Sequence, residues 1–430
     1  MTKPAKLLLA TLSVSALLIS TQSWATNGYF SHGTSIAEKG MAGASNAYSQ
    51  DALSAANNPA GMVLQGDRYD IGAAMFAPRR SYTVTDDGSG PGTFPLAPGT
   101  VDSDNEAFLI PQYGQNWMLD SDSSIGISVY GNGGMNTEYL GSPGTFGGGT
   151  AGVNLSQLFI STTYARKISD SASWGVSGII AYQAFKADGL AAFGGFGLSS
   201  DPSNLTNNGD DTATGLGIRL GVQGEVAPGI TLSASYQPEI DMSEFDKYAG
   251  LFAEQGDFDI PSNLTLGLAW HISDNRIFVV DIQQINYEDV AAVSNPISLL
   301  LTDCFGTGGA GNGCLGASNG AGFGWEDMTV IKLGYEWQTD DTWTWRLGYS
   351  FGDQPIPESE VLFNILAPGV MEDHFTFGFT RALDSNSDFN FALMYAPSVS
   401  VTGPNAFDSA QTIELEMDQY ELGASYSKRF

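Results

Sequence analysis

The sequence predicts an all-β protein, a transmembrane antiparallel β-barrel of 14 strands with an N-terminal hatch inside its lumen. Three observations predict it: apolar residues recur at every second position, short polar turns alternate with long glycine-rich loops, and one N-terminal segment fits no strand. The 430 residues carry 17 basic and 47 acidic side chains, a net charge of −30. This charge argues against nucleic acid as a partner, because a phosphate backbone needs a basic face.

The first predicted element is a secretory signal peptide over residues 1–25. Two lysines precede an apolar run over residues 7–19, and the small residues Ser23 and Ala25 stand where a signal peptidase reads the chain. The apolar run is too short for a transmembrane helix. We therefore expect an exported protein and exclude this segment from the fold.

Residues 26–66 come next and do not follow the two-residue alternation. They are rich in Ala, Gly, Ser and Asn, and they are too polar to span lipid. A barrel of 14 strands has a lumen wide enough to leak unless something fills it. We expect this segment to be a hatch inside the lumen, with residues 67–430 forming the barrel.

The barrel strands are predicted from alternation such as that of Trp343, Trp345 and Leu347 with polar or small neighbours. We place the 14 strands near 68–83, 106–119, 124–135, 153–168, 172–187, 212–226, 229–245, 259–272, 275–288, 325–338, 342–354, 372–383, 388–401 and 412–430.

The connections between these strands alternate in length, with six short polar turns on one side and long loops on the other. Outer-membrane barrels have short periplasmic turns and long outer loops. The chain ends within the last strand at Phe430, so we expect a closed, monomeric barrel in the outer membrane of a Gram-negative bacterium, in contact with lipid and lipopolysaccharide. Tryptophans near strand ends are expected in the interfacial girdles: Trp117, Trp174, Trp270, Trp325 and Trp337.

The two cysteines, Cys304 and Cys314, lie in one glycine-rich segment of an outer loop. In an exported protein this spacing favours a local disulfide. A metal site would need two more ligands, and the segment contains no histidine. We predict no metal and no cofactor, although the acidic loop 201–211 leaves calcium binding open.

Catalytic motifs are not found in the sequence. The three histidines, His32, His271 and His374, are expected to lie far apart, and none belongs to a zinc-hydrolase motif. Two rival classes remain. One is an outer-membrane barrel enzyme, such as a lipid hydrolase using His374 with a serine, and the other is an open porin.

Several motifs together carry a family resemblance. Asp51 lies seven residues before Asn58-Pro59-Ala60, and the C-terminal part contains Gly324-Trp325-Glu326-Asp327, Trp343-Thr344-Trp345-Arg346-Leu347-Gly348 and the final Tyr426-Ser427-Lys428-Arg429-Phe430. With these motifs the chain resembles the FadL/TodX family of outer-membrane transporters for hydrophobic compounds. The resemblance covers most of the exported chain and is weakest in the outer loops.

The resemblance implies passive uptake of hydrophobic compounds through a plugged barrel, with lateral release at a kinked third strand. Glycines inside a strand mark a kink or bulge, and the third predicted strand contains Gly131, Gly133 and Gly134 close together near its outer end. Alternatively, these glycines begin the outer loop. The turn after Asn58 is a predicted pivot of the hatch, because proline restricts its own backbone and that of the residue before it. The predicted path and gating residues are Asn58, Pro59, Ala60, Gly131, Gly133 and Gly134.

The ligand is less defined by the resemblance. Fatty-acid transporters of the family place basic residues near the ligand carboxylate, but Glu326 and Gly189 stand in those regions here. Lys186, at the outer end of the fifth predicted strand, is the nearest basic candidate for a carboxylate contact. Its alternative role is that of a solvated lysine at a strand end. Long-chain fatty acids and aromatic hydrocarbons both remain candidate ligands.

Overall fold

The structure, a computed structural model, describes residues 27–90, 94–141 and 144–430 of the chain. The predicted signal peptide, residues 1–25, lies outside the described residues.

The chain folds into one antiparallel sheet whose first and last long strands pair and close it into a barrel. Fourteen strands form the wall, as predicted, and the short second strand pairs only with the outer end of the first. The strands are β1 (Arg68–Thr85), β2 (Gly99–Asp102), β3 (Phe108–Met118), β4 (Ser123–Asn136), β5 (Gly152–Ser169), β6 (Ala172–Asp188), β7 (Asp211–Ala227), β8 (Ile230–Gln237), β9 (Asn263–Ser273), β10 (Arg276–Ile285), β11 (Met328–Gln338), β12 (Trp343–Phe351), β13 (Asp373–Ala382), β14 (Ser387–Asn405) and β15 (Asp408–Arg429).

The strand bounds differ most from the predicted ones next to proline. Strand β8 was expected to reach residue 245 but ends at Gln237, because Pro238 has no N–H to donate to a neighbouring strand. Strand β9 likewise begins at Asn263, two residues after Pro261. The two ends of the wall meet where Arg68 pairs with Arg429, on the side of the short turns.

The outer face of the wall is apolar and its inner face is polar or small. On β7, Leu216, Ile218 and Leu220 are exposed, whereas Arg219 between them is buried in the lumen. An apolar belt on a closed barrel is the surface that a bilayer solvates. Trp117, Trp174 and Trp270 lie on this exposed face, as the girdle prediction requires. The girdle prediction is wrong for Trp325, which is 1% exposed and lies inside, before β11 begins.

Helices are short and lie in the hatch and the outer loops. The α-helices are α1 (Ile36–Lys39), α2 (Ala191–Gly195), α3 (Ala253–Gly256), α4 (Ala291–Ser294) and α5 (Val361–Asn364). The 3-10 turns are Ser54–Ala56, Pro59–Leu64, Pro202–Asn204, Asp246–Tyr248, Tyr287–Asp289 and Glu358–Glu360, and Leu300–Cys304 is a π-helix. Within the described ranges, no helix is long and apolar enough to cross a bilayer.

Residues 27–66, the segment predicted to be the hatch and called the hatch below, are almost wholly buried and contact the inner face of the wall. Its helix α1 begins with a capping box: the Ser35 hydroxyl accepts from the Glu38 amide, and the Glu38 carboxylate accepts from the Ser35 amide. The following residue, Lys39, makes an ion pair with Glu421 of β15 at 2.7 Å, with both side chains buried. Removing one partner of a buried pair would strand the other charge, so this pair holds the hatch to the wall.

A second group of contacts anchors the hatch on the opposite wall. The Asp281 carboxylate on β10 accepts from the backbone amides of Ser45 and Asn46, at 2.7 and 2.9 Å. The Asn46 side chain also donates to Ser233 of β8 at 2.8 Å. Polar side chains on the inner face of the wall thus satisfy the backbone of a segment that has little secondary structure of its own.

Candidate functional site

The third strand of the wall, β4, is interrupted by a bulge. Its register with β5 shifts between Gly131 and Gly133, so Asn132 is an extra residue without an opposite partner in the ladder. The Asn132 side chain donates to the side-chain oxygen of Gln157 on β5 at 2.8 Å. A bulge bends the strand and locally disrupts its pairing, so the wall is locally weakened here.

The N-terminal edge of the hatch, residues 29–31, covers this bulge. The Ser31 amide donates to the Asn132 carbonyl at 3.0 Å, and the Gly134 amide donates to the Tyr29 carbonyl at 2.9 Å. A Cβ at Gly133 would lie 2.1 Å from the Tyr29 carbonyl oxygen, closer than real contacts allow. Glycine at 133 therefore permits the hatch edge to pair directly with the bulged strand.

Aromatic side chains hold the hatch edge from the outer side. Tyr29 lies between Tyr287 and Trp325, with ring centroids 5.1 and 5.9 Å away. The Tyr287 hydroxyl donates to the Asn27 carbonyl at 2.5 Å and accepts from the Tyr29 amide at 3.2 Å. Trp325 donates its indole N–H to Asn364 at 2.6 Å, which satisfies its buried polar group.

A run of aromatic rings leads from the outer loops to the hatch edge. The centroids of Phe185 and Phe252 are 4.7 Å apart, those of Phe252 and Phe258 are 4.8 Å apart, and Phe258 lies 6.0 Å from Tyr29. Phe30 follows at 5.3 Å from Tyr29 and faces the bulge. These rings are buried, so an apolar region extends from the outer loops to the bulged strand.

Behind the bulge, on the lumen side, lies a polar cavity of about 40 Å³. Its lining includes Phe30 and Ser31 of the hatch edge and Gly131 and Asn132 of β4. Arg219, Lys332, Asn263 and Gln283 complete the polar part of its wall.

The predicted motif Asn58-Pro59-Ala60 lies elsewhere, against β6 and β7. The Asn58 side chain donates to the Asn46 carbonyl at 2.8 Å and accepts from the Ala60 amide at 3.0 Å. A Cβ at Gly221 of β7 would lie 2.0 Å from the Asn58 side-chain oxygen. The motif is therefore docked tightly on the wall, and its role as a pivot stays a prediction.

The remaining predicted site residues lie at the outer end of the barrel. Lys186 makes an ion pair with Asp188 at 2.6 Å, and its side chain is 41% exposed. Exposed pairs of this kind are worth little, and Lys186 does not line the cavity behind the bulge. Cys304 and Cys314 are joined by a disulfide, which closes the glycine-rich loop.

The expectation that the histidines lie far apart is wrong for two of them. Folding the hatch into the lumen brings His32 onto His374, with ring centroids 5.9 Å apart. Ser350 lies 3.3 Å from Nδ1 of His374, which places a serine beside a histidine. Both residues are buried beneath the hatch, and the neighbouring Asp373 carboxylate accepts from Tyr349 at 2.5 Å. In the described part of the chain, no group of three or more His, Cys, Asp or Glu side chains is placed to hold a metal.

Sequence reasoning missed the charged residues of the lumen, above all Arg219, Asp281 and Lys332. Each interrupts an apolar stretch of a strand at an inward-facing position. A charge at such a position faces the lumen instead of lipid, so this pattern could have identified them. The aromatic contacts of Tyr29 and Phe30 had no comparable signal.

A closed barrel of 14 strands, apolar outside and filled by its own N-terminal segment, defines a plugged outer-membrane β-barrel. The chain belongs to the outer membrane protein transport protein family (OMPP1/FadL/TodX), which matches it over residues 16–430. It is therefore an outer-membrane protein of a transporter family, as the sequence predicted.

Relatives and solved structures agree with this assignment. The chain is 24% identical over 442 residues to the long-chain fatty acid transport protein of Salmonella typhi, covering 93% of this chain and 94% of that protein. Its fold is similar to that of the Pseudomonas putida toluene transporter TodX, with a TM-score of 0.65, 19% identity and coverage of 94% and 100% of the two chains. A Pseudomonas aeruginosa FadL homologue gives a TM-score of 0.66 at 15% identity, with the same coverage.

Proposed function

We propose that this protein carries hydrophobic compounds passively across the outer membrane and releases them sideways, at the bulge in β4. The observation that carries this proposal is the pairing of the hatch edge, residues 29–31, with the bulged strand. This short segment covers the bulge and is held there by two backbone hydrogen bonds and by aromatic contacts. Lateral release lets an apolar ligand enter the membrane without passing through water.

The hatch edge is the part of the hatch that moves most easily. Two backbone hydrogen bonds to β4, worth about 0.5–1.5 kcal/mol each, hold it to the bulge, together with aromatic packing. The body of the hatch is held by the buried Lys39–Glu421 pair and by the bonds from the Ser45 and Asn46 amides to Asp281. We infer that opening displaces the edge while the body stays docked, with Asn58-Pro59-Ala60 as its fixed point on the wall.

The aromatic run from Phe185 to Phe30 supports the path of the ligand. Its rings offer an apolar surface that ends at the bulge, and a ligand that parts them exchanges one apolar contact for another. No energy source is needed when the ligand moves down its gradient. The wall closes through β1 and β15, so none of its 14 strands is left unpaired for a second copy, which favours a monomer surrounded by lipid and lipopolysaccharide.

Two ligand classes fit this path. A long-chain fatty acid is the ligand in the name of the Salmonella typhi relative, and toluene is the ligand in the name of the Pseudomonas putida transporter. We propose fatty acids or related lipophilic molecules first and aromatic hydrocarbons as the alternative. A catalytic function is not proposed, because the Ser350–His374 contact is sealed beneath the hatch.

The experiment removes the bulge and leaves the rest of the wall intact. Deleting Asn132 restores one-to-one pairing between β4 and β5, because it is the residue by which their register shifts. Cells lacking their own transporter would express the native chain, the deletion, or Asn132→Ala, which keeps the bulged backbone. Uptake of radiolabelled oleate and of toluene is then measured.

We expect the deletion to reduce uptake to the background of cells without the protein, and Asn132→Ala to retain it. Heat-modifiable electrophoretic mobility checks that each barrel is folded. Undiminished uptake by a folded deletion variant would show that ligands do not leave at β4. Absence of uptake by the native chain would overturn the proposed transport itself.

A further inference from the structure

The loop between β12 and β13 folds inward instead of lying on the surface. It comprises residues 352–372, on the side of the long outer loops. Connecting loops usually run over a protein's surface, where water satisfies their backbone groups. Here residues 360–371 are all buried, and they contain no polar side chain except those of Glu360 and Asn364. We call residues 360–371 the inner lid.

The inner lid is fixed to the wall at both ends. The hydroxyl of Thr137, the residue after β4, donates to the Leu366 carbonyl at 2.7 Å. On the other side, a Cβ at Gly403 of β14 would overlap the carbonyl oxygen of Glu358, just before the lid. The lid therefore reaches from β14 to the outer end of the bulged strand β4.

The lid also packs over the hatch edge. A Cβ at Gly369 would lie 2.9 Å from the Trp325 ring and 3.6 Å from the carbonyl oxygen of Gly28, the residue before the hatch edge. Trp325 in turn packs on Tyr29. The lid, Tyr29 and Phe30 belong to one buried apolar cluster. The hatch edge is thus enclosed between β4 on one side and Trp325 with the lid on the other.

Asn364 is the polar link between the lid and Trp325. Its side-chain oxygen accepts from the indole N–H of Trp325 at 2.6 Å. Its side-chain nitrogen donates to the carbonyls of Phe323 and Glu360, at 2.6 and 2.9 Å. Asn364 is 0% exposed, so no water replaces these bonds if it moves. A buried indole N–H without its acceptor is costly, so the position of Asn364 controls that of Trp325.

A second run of aromatic rings leads from the outer surface to the lid. Phe196 is 58% exposed, and its ring centroid lies 5.5 Å from that of Phe94. Phe193 follows, 5.6 Å from Phe94 and 5.9 Å from Phe363 of the lid. An apolar compound that enters between these rings reaches the lid at the residue before Asn364.

We propose that the inner lid is a second gate, on the outer side of the hatch edge, and that Asn364 is the positioning residue that couples the two gates. A ligand that lifts Phe363 draws Asn364 away from Trp325, and the freed Trp325 lets Tyr29 leave the bulge. The lid yields first and the hatch edge second. This inference rests on the proposed release at β4 and adds the step that precedes it.

Amide hydrogen exchange of the purified full-length barrel tests this coupling without a ligand. The Gly134 amide is bonded to the hatch edge and reports its opening. Asn364→Leu and Trp325→Phe should each speed exchange at Gly134 about tenfold or more, the usual effect of losing a buried hydrogen bond. The double variant should exchange no faster than either single one, because both changes remove the same bond. Additive effects would overturn the coupling.

Two controls separate coupling from a general loss of stability. The amides of Ser45 and Asn46, in the body of the hatch, should exchange as in the native protein. Equal acceleration there and at Gly134 would reduce Asn364 to a structural role and overturn the proposal. The matched variant is Asn204→Leu, which removes an outer-loop asparagine bonded within its own loop and should leave exchange at Gly134 unchanged.

A comparison within the native barrel applies even if the variants do not fold. The amides of Leu366 and Ala367 are bonded within the lid, to the carbonyls of Phe363 and Asn364, and report its opening. If the lid yields first, the Gly134 amide is at least as well protected as these two amides. Weaker protection at Gly134 would show that the hatch edge opens beneath a closed lid, and would overturn the second gate.

Toluene serves as the probe for the ligand-driven step. Added to the native barrel, it should speed exchange of the lid amides and of Gly134 together. Acceleration at Gly134 alone, or at neither place, would overturn the lid as the way in. Failure of cells with the native chain to take up oleate or toluene would reject the proposed transport, whereas the comparisons without a ligand would still decide the coupling.

Discussion

His32 of the hatch stacks on His374 of β13, with ring centroids 5.9 Å apart and ring planes inclined by 11°. Both nitrogens of His32 are buried without a hydrogen-bond partner. Burial, reinforced by the positive charge of Lys39, lowers the pKa of His32 well below its usual range. His32 is therefore neutral, and its ring lies over the buried contact between His374 and Ser350.

The sealed histidine predicts that the barrel does not hydrolyse lipid. A serine nucleophile needs a base that an acid orients and a substrate that can reach it, and here Asp373 accepts from Tyr349 instead. We expect native protein and Ser350→Ala to release the same background amount of fatty acid from phospholipid vesicles. His374→Ala should likewise leave uptake and lipid turnover unchanged. Turnover by the native barrel that Ser350→Ala abolishes would identify an outer-membrane enzyme.

A second prediction concerns the pH dependence of hatch docking. Burial, with the charge of Asp51 nearby, raises the pKa of Glu38 from 4.5 to about 8. Lys332 faces Glu38 from the wall. Glu38 binds its proton more tightly in the docked hatch than in a hatch released from the wall. Docking is therefore stabilised at low pH, and it loses this stabilisation as the pH rises toward about 8.

We expect amide hydrogen exchange in residues 34–46, corrected for its intrinsic pH dependence, to become less protected between about pH 6.5 and 8.5. This range lies above the usual pKa of histidine, so His32 stays neutral throughout it. Glu38→Gln keeps an acceptor for the capping box but cannot ionise. The variant should lose the pH dependence, and a dependence equal to that of the native chain would assign it to another group.

The buried Lys39–Glu421 pair predicts an asymmetric response to substitution. Lys39→Met leaves Glu421 charged in a buried site, which should loosen hatch docking by about 3–5 kcal/mol. Lys39→Met combined with Glu421→Met removes both charges and should cost less than the single change. Amide hydrogen exchange of the hatch measures the loss of docking stability in the single and in the double variant. A double variant as loose as the single one would mean that packing, and not the stranded charge, determines docking.

The hatch also predicts how the barrel treats hydrophilic solutes. With the lumen filled by residues 27–66, native protein should not pass sugars in a liposome-swelling assay. Deleting residues 26–60 should leave a barrel that inserts and swells liposomes rapidly, because the wall pairs with itself through β1 and β15. Swelling by the native protein would contradict a closed plug. Failure of the deletion variant to insert would make the hatch part of the folding unit.

Local patterns in the sequence were sufficient for the wall of the barrel. The 14 strands, the six short turns and the bulge-prone glycines of β4 follow from alternation and turn residues, which act between neighbours along the chain. Even the errors at β8 and β9 arise from single prolines next to the strand ends. The girdle prediction failed for Trp325 because the sequence near a strand end does not distinguish a tryptophan that faces lipid from one that faces the lumen.

The sequence alone determined that this chain forms an outer-membrane barrel with an N-terminal segment that needs a place inside it. Only the tertiary structure decided what that segment touches: His32 on His374, Phe30 on Gly133, and Lys332 on the His32 carbonyl. The physical reason is range. The periodicity of a strand can be recognised from consecutive residues. The lumen contacts instead join groups about a hundred to several hundred residues apart, through hydrogen bonds and charges that a local sequence pattern does not predict.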